Sequence, residues 1–352
     1  MSQIIDTRHL TDFAAEVLGA VGVPEQDARL VSDSLVTADL AGHPSHGLLR
    51  LPWYVARLRS GAMHAETRTE IVTDRGALAV VDGHDGVGQV ITARACDLAV
   101  ARAREYGVAT VAVRASNHFG TAAYWTRRMA ERGCIGILTT NGSPAMAPWG
   151  GTQKTVGANP WSIAAPAGSH PPAVLDIANT GVARGKIYAA AQRGESIPEG
   201  WALDEKGVPT TDPDVAVHGL LAPMGGHKGF GIAFMMDVLS GVLTGSGYAT
   251  DVVGPYVADR RSGCGHLVLA IDIGAIMALE DFGARMDDLI GTTKSVPLAE
   301  GTEEIHYPGE IEARAERRHR PTGVTLPDKT VDELRNLATS WGLALPRTRE
   351  AD

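Results

Sequence analysis

Apolar positions at the start of the chain fall with a helical spacing. From Thr7 to Leu18 they recur at Leu10, Phe13, Ala14, Val17 and Leu18, one face of an amphipathic helix that Thr11 or Asp12 can cap. Gly19 to Pro24 interrupts it. A second helix is predicted from Glu25 to Ala38, and a third from about Leu48 to Leu58 with Gly61 as its stop signal. The periodicity then changes. ALAVVDG (77–83), VATVAVRAS (108–116), CIGILTTNG (134–142), AVLDIA (173–178) and HLVLAIDI (266–273) read as strands, with helices over 92–106 and 121–132 between the earlier ones. Gly229 to Leu243 reads as a long apolar helix. Glu310 to Arg320 is a charged helix broken by Pro321, and Thr330 to Trp341 is an amphipathic helix capped from Asp328 or Thr330.

Helices and β-branched runs that alternate in this way predict a mixed α/β (α+β) fold. Its expected division is a helical lobe over 1–70, with 310–352 packing on it, and a cofactor- and substrate-binding core over 71–309. No internal repeat or low-complexity tract is visible.

Composition narrows the function. The 352 residues are 44% hydrophobic, with 41 glycines, which suits a large core with many tight turns. A net charge of -9 argues against nucleic-acid binding, which needs a basic face. It leaves room for a small anion, held by one or two local cations. Cys96, Cys134 and Cys264 are too scattered for a disulfide framework or a cysteine zinc site, and no other metal motif stands out. No signal peptide opens the chain, and no apolar run reaches membrane-spanning length, so a cytoplasmic location is expected. Rossmann, P-loop, hydrolase-elbow and zincin signatures are all missing.

The segment GHPSHGLLRLPWY (42–54) concentrates polar chemistry at a predicted helix start. His46 and Arg50 are four apart and would share a helix face. A histidine passes protons near neutral pH, and an arginine grips a carboxylate with two parallel hydrogen bonds. Together they suit a 2-hydroxy or 2-oxo acid; the bland alternative is a polar cap with a surface arginine. SNHFG (116–120) puts His118 at a strand end, a favoured catalytic position, where it could equally be a loop histidine. GGHKGFG (225–231) is a glycine-rich turn opening a helix, with Lys228 as a point charge for a phosphate. PGE (308–310) precedes a charged stretch that reads most simply as a solvated helix.

These segments, from about Ala38 to Leu326, resemble the malate/L-lactate dehydrogenase family, which is distinct from the Rossmann-type enzymes. The matching strings are ADLAGHPSHGLLRLPWYV, SNHFGTAAYW, VGANPWSIAAP, LDIANTGVARGKI, IPEGWALDEKGVPTTDP, GGHKGFGIAFMMDVLSGVLTG and YPGE, in the family's order. The resemblance implies a non-Rossmann nicotinamide-binding fold and a homodimer with active sites near the interface. It implies NAD, with NADP as the alternative, and a small carboxylate as substrate. By position, His46 and His118 resemble the proton-relay histidines, Arg50 the carboxylate ligand with Tyr54 beside it, and Lys186 a further catalytic group. Asn141, Gly142, Asp176, Ile177, Ala178, His227, Lys228, Pro308, Gly309 and Glu310 resemble the cofactor contacts. The chain departs at DIANT (176–180), where many members read DMATS, and at His227, where many have tyrosine. Lys186 in the GKI pattern favours C=O over C=N chemistry. The expectation is hydride transfer at C2 of a 2-hydroxy or 2-oxo acid. A cyclic imine reductase is the alternative within catalysis, and a non-catalytic ligand-binding protein the alternative outside it.

Overall fold

Where the periodicity switches from helical to alternating, the chain enters a seven-stranded mixed sheet. The computed structural model describes residues 3–345 and 348–350. The sheet strands are β1 (Glu70–Asp74), β2 (Leu78–Asp82), β3 (Val108–Ser116), β4 (Cys134–Thr140), β5 (Trp161–Ala167), β6 (His170–Ile177) and β7 (Cys264–Asp272). Their order is β1-β2-β3-β7-β4-β5-β6, antiparallel except for the β2–β3 pair. Around it run α1 (Thr7–Ala20), α2 (Glu25–Leu40), α3 (Leu51–Ser60), α4 (Gly88–Tyr106), α5 (Ala122–Ala130), α6 (Arg184–Arg193), α7 (Pro213–His218), α8 (His227–Asp237), α9 (Leu279–Lys294), α10 (Glu310–Thr322) and α11 (Asp328–Trp341). The mixed α/β expectation holds.

β7 closes the centre by pairing with β3 on one side and β4 on the other, with His266 opposite both Val113 and Thr140. α4 lies over this centre through Ala95, Ala99 and Ala103, a stripe of small residues that lets the helix approach Ala109, Val111 and Val113 closely. A second core joins the two chain ends: Leu10, Phe13, Val17, Leu35 and Tyr54 pack with Val324, Leu334 and Ala338.

Several local expectations need correction. The first helix is capped by Asp6, whose carboxylate accepts from the Arg8 and His9 backbone N–H groups, so neither Thr11 nor Asp12 is needed. The third helix starts at Leu51, because Pro44 and the extended Gly47 divide residues 44–50 into two separate 3-10 turns. The apolar helix begins at His227, ends at Asp237 and continues as a π-turn over Val238–Val242. Pro321 lies within the last turn of α10 instead of breaking it. α11 begins at Asp328, and no side chain caps it.

Candidate functional site

Three pieces of chain converge on one polar cluster. The first is the pair of turns 44–50. Proline cannot donate a backbone hydrogen bond, so Pro44 opens the first turn without leaving a donor unpaired. His46 donates its backbone N–H to His43 O, and Arg50 donates its own to Gly47 O. His46 and Arg50 therefore do not share the helix face that their spacing suggests. They are brought together by the fold of the turns, with Arg50 Nε donating to Ser45 O at 2.6 Å.

The second piece is α3, whose buried stripe is Leu51, Tyr54, Val55 and Leu58. That stripe turns Tyr54 inward, where it is 1% exposed. The third is the loop after β3. Arg57 Nη2 donates to Asn117 Oδ1 at 3.0 Å, and Asn117 Nδ2 donates to the carbonyls of Asp85 and Gly86. Asn117 thus holds the backbone from which His118 projects.

The rings of His46 and His118 stack at 5.6 Å between centroids, with 23° between planes. Ser45 Oγ lies 3.0 Å from His46 Nδ1, and Tyr54 Oη lies 2.7 Å from His118 Nδ1. Gly120 also donates its backbone N–H to His118 Nδ1 at 3.3 Å. A nitrogen that accepts from an N–H carries a lone pair, so neutral His118 holds its proton on Nε2. Burial, with the Arg50 charge second and that of His43 third, pushes His46 down to about 3. Burial, then Arg50 and then His46, also holds His118 well below the ordinary histidine range. Both rings are neutral at neutral pH.

Arg50 lies over the Trp53 ring at 4.3 Å, and its two Nη groups have no hydrogen-bond partner among the described residues. A half-buried guanidinium with two free donors beside two neutral histidines can seat an anion. Two concavities, of about 400 and 670 Å³, lie elsewhere, around Leu58 and His84 and around Phe282 and Leu289. The first is lined by His64, His84 and Arg68, but these side chains are exposed and His84 is paired with Glu70 and Asp82; the second holds no histidine.

Asp39 supports the turns. It is 4% exposed, accepts from the Leu48 N–H at 2.8 Å, and leaves Oδ1 without a partner. Burial raises its pKa to about 7. A carboxyl whose folded pKa lies above its unfolded value stabilises the fold most below the unfolded pKa. That stability is lost as pH rises from about 4 through about 7. Asp39→Asn keeps the acceptor for Leu48 and cannot ionise. Its stability relative to the parent is therefore expected to improve by about 2–3 kcal/mol between pH 5 and pH 8. Urea unfolding at both pH values measures this, and a pH-independent difference would show that Asp39 is not the titrating group.

The other site expectations fall into distinct environments. Asn141 is buried and saturated, donating to Asp237 and Gly247 O and accepting from Gly265 N–H. Gly142 donates to Asn159 Oδ1. Asp176 caps α5 through Ala123 N–H at 2.7 Å, with Ile177 and Ala178 following at the end of β6. His227 and Lys228 are exposed at the start of α8, behind Gly225 and Gly226 with φ of 60° and 67°. This terminus, with its free N–H groups and lysine, fits an anionic phosphate. Pro308 O accepts from Val174 N–H, and Gly309 packs on Val174. Glu310 is engaged by Lys294 and Arg314. With Glu304 and His306 it has metal-ligand spacing, but those two cations already neutralise the carboxylates. Lys186 is exposed on the first turn of α6, and no contact joins it to the histidines.

Ser45, Trp53 and Asp39 also belong to this cluster, although none of them is among the expected site residues. Ser45 and Trp53 lie inside the GHPSHGLLRLPWY segment, and Asp39 inside the longer matching string ADLAGHPSHGLLRLPWYV, but only burial makes Asp39 chemically unusual.

The family profile described as malate/L-lactate dehydrogenase matches residues 5–335. The L-sulfolactate dehydrogenase of Methanocaldococcus jannaschii is 40% identical over 93% of this chain and 94% of its own. A solved structure of sulfolactate dehydrogenase from that organism superposes with a TM-score of 0.92 at 38% identity, covering 97% of this chain and 98% of the other. The NAD(+) ureidoglycolate dehydrogenase of Escherichia coli K12 is 33% identical over 87% of this chain and 88% of its own. A Δ1-piperideine-2-carboxylate reductase from Pseudomonas syringae superposes with a TM-score of 0.84 at 27% identity, over 96% of this chain and all of the other. No helix among the described residues is long and apolar enough to cross a membrane. The chain belongs to the malate/L-lactate dehydrogenase family.

Proposed function

We propose that the chain is an NAD(P)-dependent dehydrogenase acting on the 2-position of a small hydroxy acid, with His118 as the proton carrier and Arg50 as the carboxylate clamp. One observation carries the reading: two neutral, stacked histidines stand beside an arginine that has no carboxylate partner among the described residues. The nicotinamide would exchange a hydride with C2 of the acid. His227 and Lys228 would hold its phosphates, with the segments at 141–142, 176–178 and 308–310 lining the rest of its site. Arg50 fixes the acid through two parallel N–H···O bonds. His118 takes the hydroxyl proton on Nε2 in oxidation, in the tautomer that carries its own proton on Nδ1, and the resulting imidazolium returns it from Nε2 in reduction. His46 stacks against it and shields it from water. Lys186 in the GKI pattern supports a C=O rather than a C=N substrate.

The same reading includes a homodimer in the cytoplasm. Phe234, Met235, Val242 and Leu243 form an exposed apolar run on α8 and the π-turn that a second copy would cover. All three cysteines are buried and free, as in a reduced compartment.

A panel of 2-oxo acids, their neutral amides and cyclic imino acids, assayed with NADH and with NADPH, tests the reading. An oxo acid is expected to be the best substrate, and its amide to be turned over poorly, because the clamp recognises the carboxylate. An imine reduced faster than every oxo acid would move the enzyme to the reductase alternative. An amide turned over as well as its acid would remove the clamp.

A further inference from the structure

The centre of the sheet holds a histidine that the proposed mechanism does not use. His266, on β7, is fully buried and bridges two hydroxyl groups across the strands. Its Nδ1 lies 2.8 Å from Thr140 Oγ1 on β4, and its Nε2 lies 2.7 Å from Ser116 Oγ at the end of β3. Burial pushes its pKa down to about 3, so the ring is neutral, with one nitrogen donating and the other accepting. Each hydroxyl reaches the backbone that follows it: Ser116 Oγ is 3.5 Å from Asn117 O, and Thr140 Oγ1 is 3.3 Å from Asn141 O. The Phe119 ring adds a second contact from the same loop, packing T-shaped on His266 with 4.7 Å between centroids. His118 therefore stands between two residues, Ser116 and Phe119, that this imidazole touches. The backbone there is strained. β3 carries one residue more than β7 between the Val113–His266 and Ser116–Cys264 pairs, and Ala115 in that bulge has a φ of 49°. A bulge re-aims the chain beyond it, and a left-handed alanine persists only where its surroundings hold it.

Building on the proton-carrier reading, we propose that His266 is a positioning residue that sets the distance between the loop carrying His118 and the 141–142 segment proposed to line the cofactor site. Its Nε2 end holds the loop through Ser116, and its Nδ1 end holds the segment through Thr140. In oxidation the hydride leaves C2 and the proton leaves the oxygen bonded to it, so the two acceptors must stand in one fixed relation. A rigid planar ring with a nitrogen toward each side transmits position between the two segments, which a flexible side chain would not. His266 itself takes no part in the proton transfer.

Two conservative variants separate the ends of the ring. In His266→Gln the carboxamide reaches the place of Nε2, which keeps the Ser116 partner and loses Thr140. In His266→Asn it reaches the place of Nδ1, which keeps Thr140 and loses Ser116. Each forfeits one hydrogen bond, so a merely structural histidine would give the two variants the same turnover. Instead, His266→Asn is expected to lower kcat roughly ten- to a hundredfold with little change in KM for the acid, the cost of a shift of up to about 1 Å in His118. His266→Gln should keep most of its kcat and bind NADH about fivefold more weakly in a fluorescence titration, the worth of one hydrogen bond. Ser116→Ala and Thr140→Val, which remove one hydroxyl each, should reproduce the two phenotypes in turn, and they decide the matter if a histidine variant does not fold. In the cofactor-free protein, amide exchange over 117–120 should quicken about fivefold in Ser116→Ala and His266→Asn, and not in Thr140→Val. Equal turnover in the two histidine variants, or in Ser116→Ala and Thr140→Val, would overturn the proposal while a His118→Ala enzyme still loses its turnover. Full turnover in His118→Ala would overturn the proton-carrier reading, and this proposal with it.

Discussion

His118→Ala is expected to lower kcat by about 10²–10⁴-fold, the usual worth of a positioned general acid–base group. The loss should appear in kcat and kcat/KM together, because the proton transfer matters only in the transition state. KM for the acid should change little, since in the proposed site the carboxylate rests on Arg50. The side chain is only half-buried, so the thermal midpoint should stay close to that of the parent. His46→Ala is the comparison. Its Nδ1 is bonded to the neighbouring Ser45 hydroxyl, and no tyrosine backs it. It should lose less turnover, through weaker exclusion of water around the stacked pair. A His118→Ala enzyme that turned over at nearly the parent rate would sink the assignment, and a His46→Ala enzyme with the larger loss would transfer the role to His46.

The second large effect comes from a residue that touches no ligand. In Gly88→Ala the new Cβ would lie 2.3 Å from Asn117 O and 2.4 Å from His118 O. Both are backbone atoms and neither can yield, because Asn117 is bonded to Arg57, Asp85 and Gly86. α4 cannot yield either, since its alanine stripe is packed on the central strands. The methyl group must displace the loop that carries His118. Overpacking of this kind costs about 1–3 kcal/mol of stability, and sometimes more. A shift of roughly 1 Å in a catalytic group costs about 10²-fold in rate. Gly291→Ala in α9 is the control, with nothing within 4 Å of its added Cβ. It should be neutral or up to about 1 kcal/mol stabilising through helix propensity. Urea unfolding with kcat measured on the same samples separates the two variants. A Gly88→Ala protein with parent stability and turnover would show that the loop is far softer than its hydrogen bonds indicate.

The sequence determined the parts of this protein that depend on local order along the chain. Helical spacing at residues 7–18 and β-branched alternation at 108–116 each set one buried face, and the elements formed there as read. β1 and β5 escaped notice for physical reasons: Glu70–Asp74 is an almost wholly exposed edge strand, and WSIAAPA carries alanines and a proline where β-branched residues would signal a strand. α9 escaped because it buries little besides Ile290 and contains two glycines. His46, Arg50 and His118 were legible as chemistry because motif and residue type announce themselves locally.

Their arrangement was not legible, because it is made by atoms distant in sequence. The four-residue spacing of His46 and Arg50 suggested a helix, whereas Pro44 and Gly47 made two turns that bring them together by another route. Tyr54 and His118 are 64 residues apart, and only the inward stripe of α3 against the loop after β3 joins them. Asp39 looks like an ordinary polar residue of a helix until burial removes its water. Burial and distant hydrogen bonding are properties of the packed whole, so only the tertiary structure could decide which polar side chains are costly, and therefore which have a task.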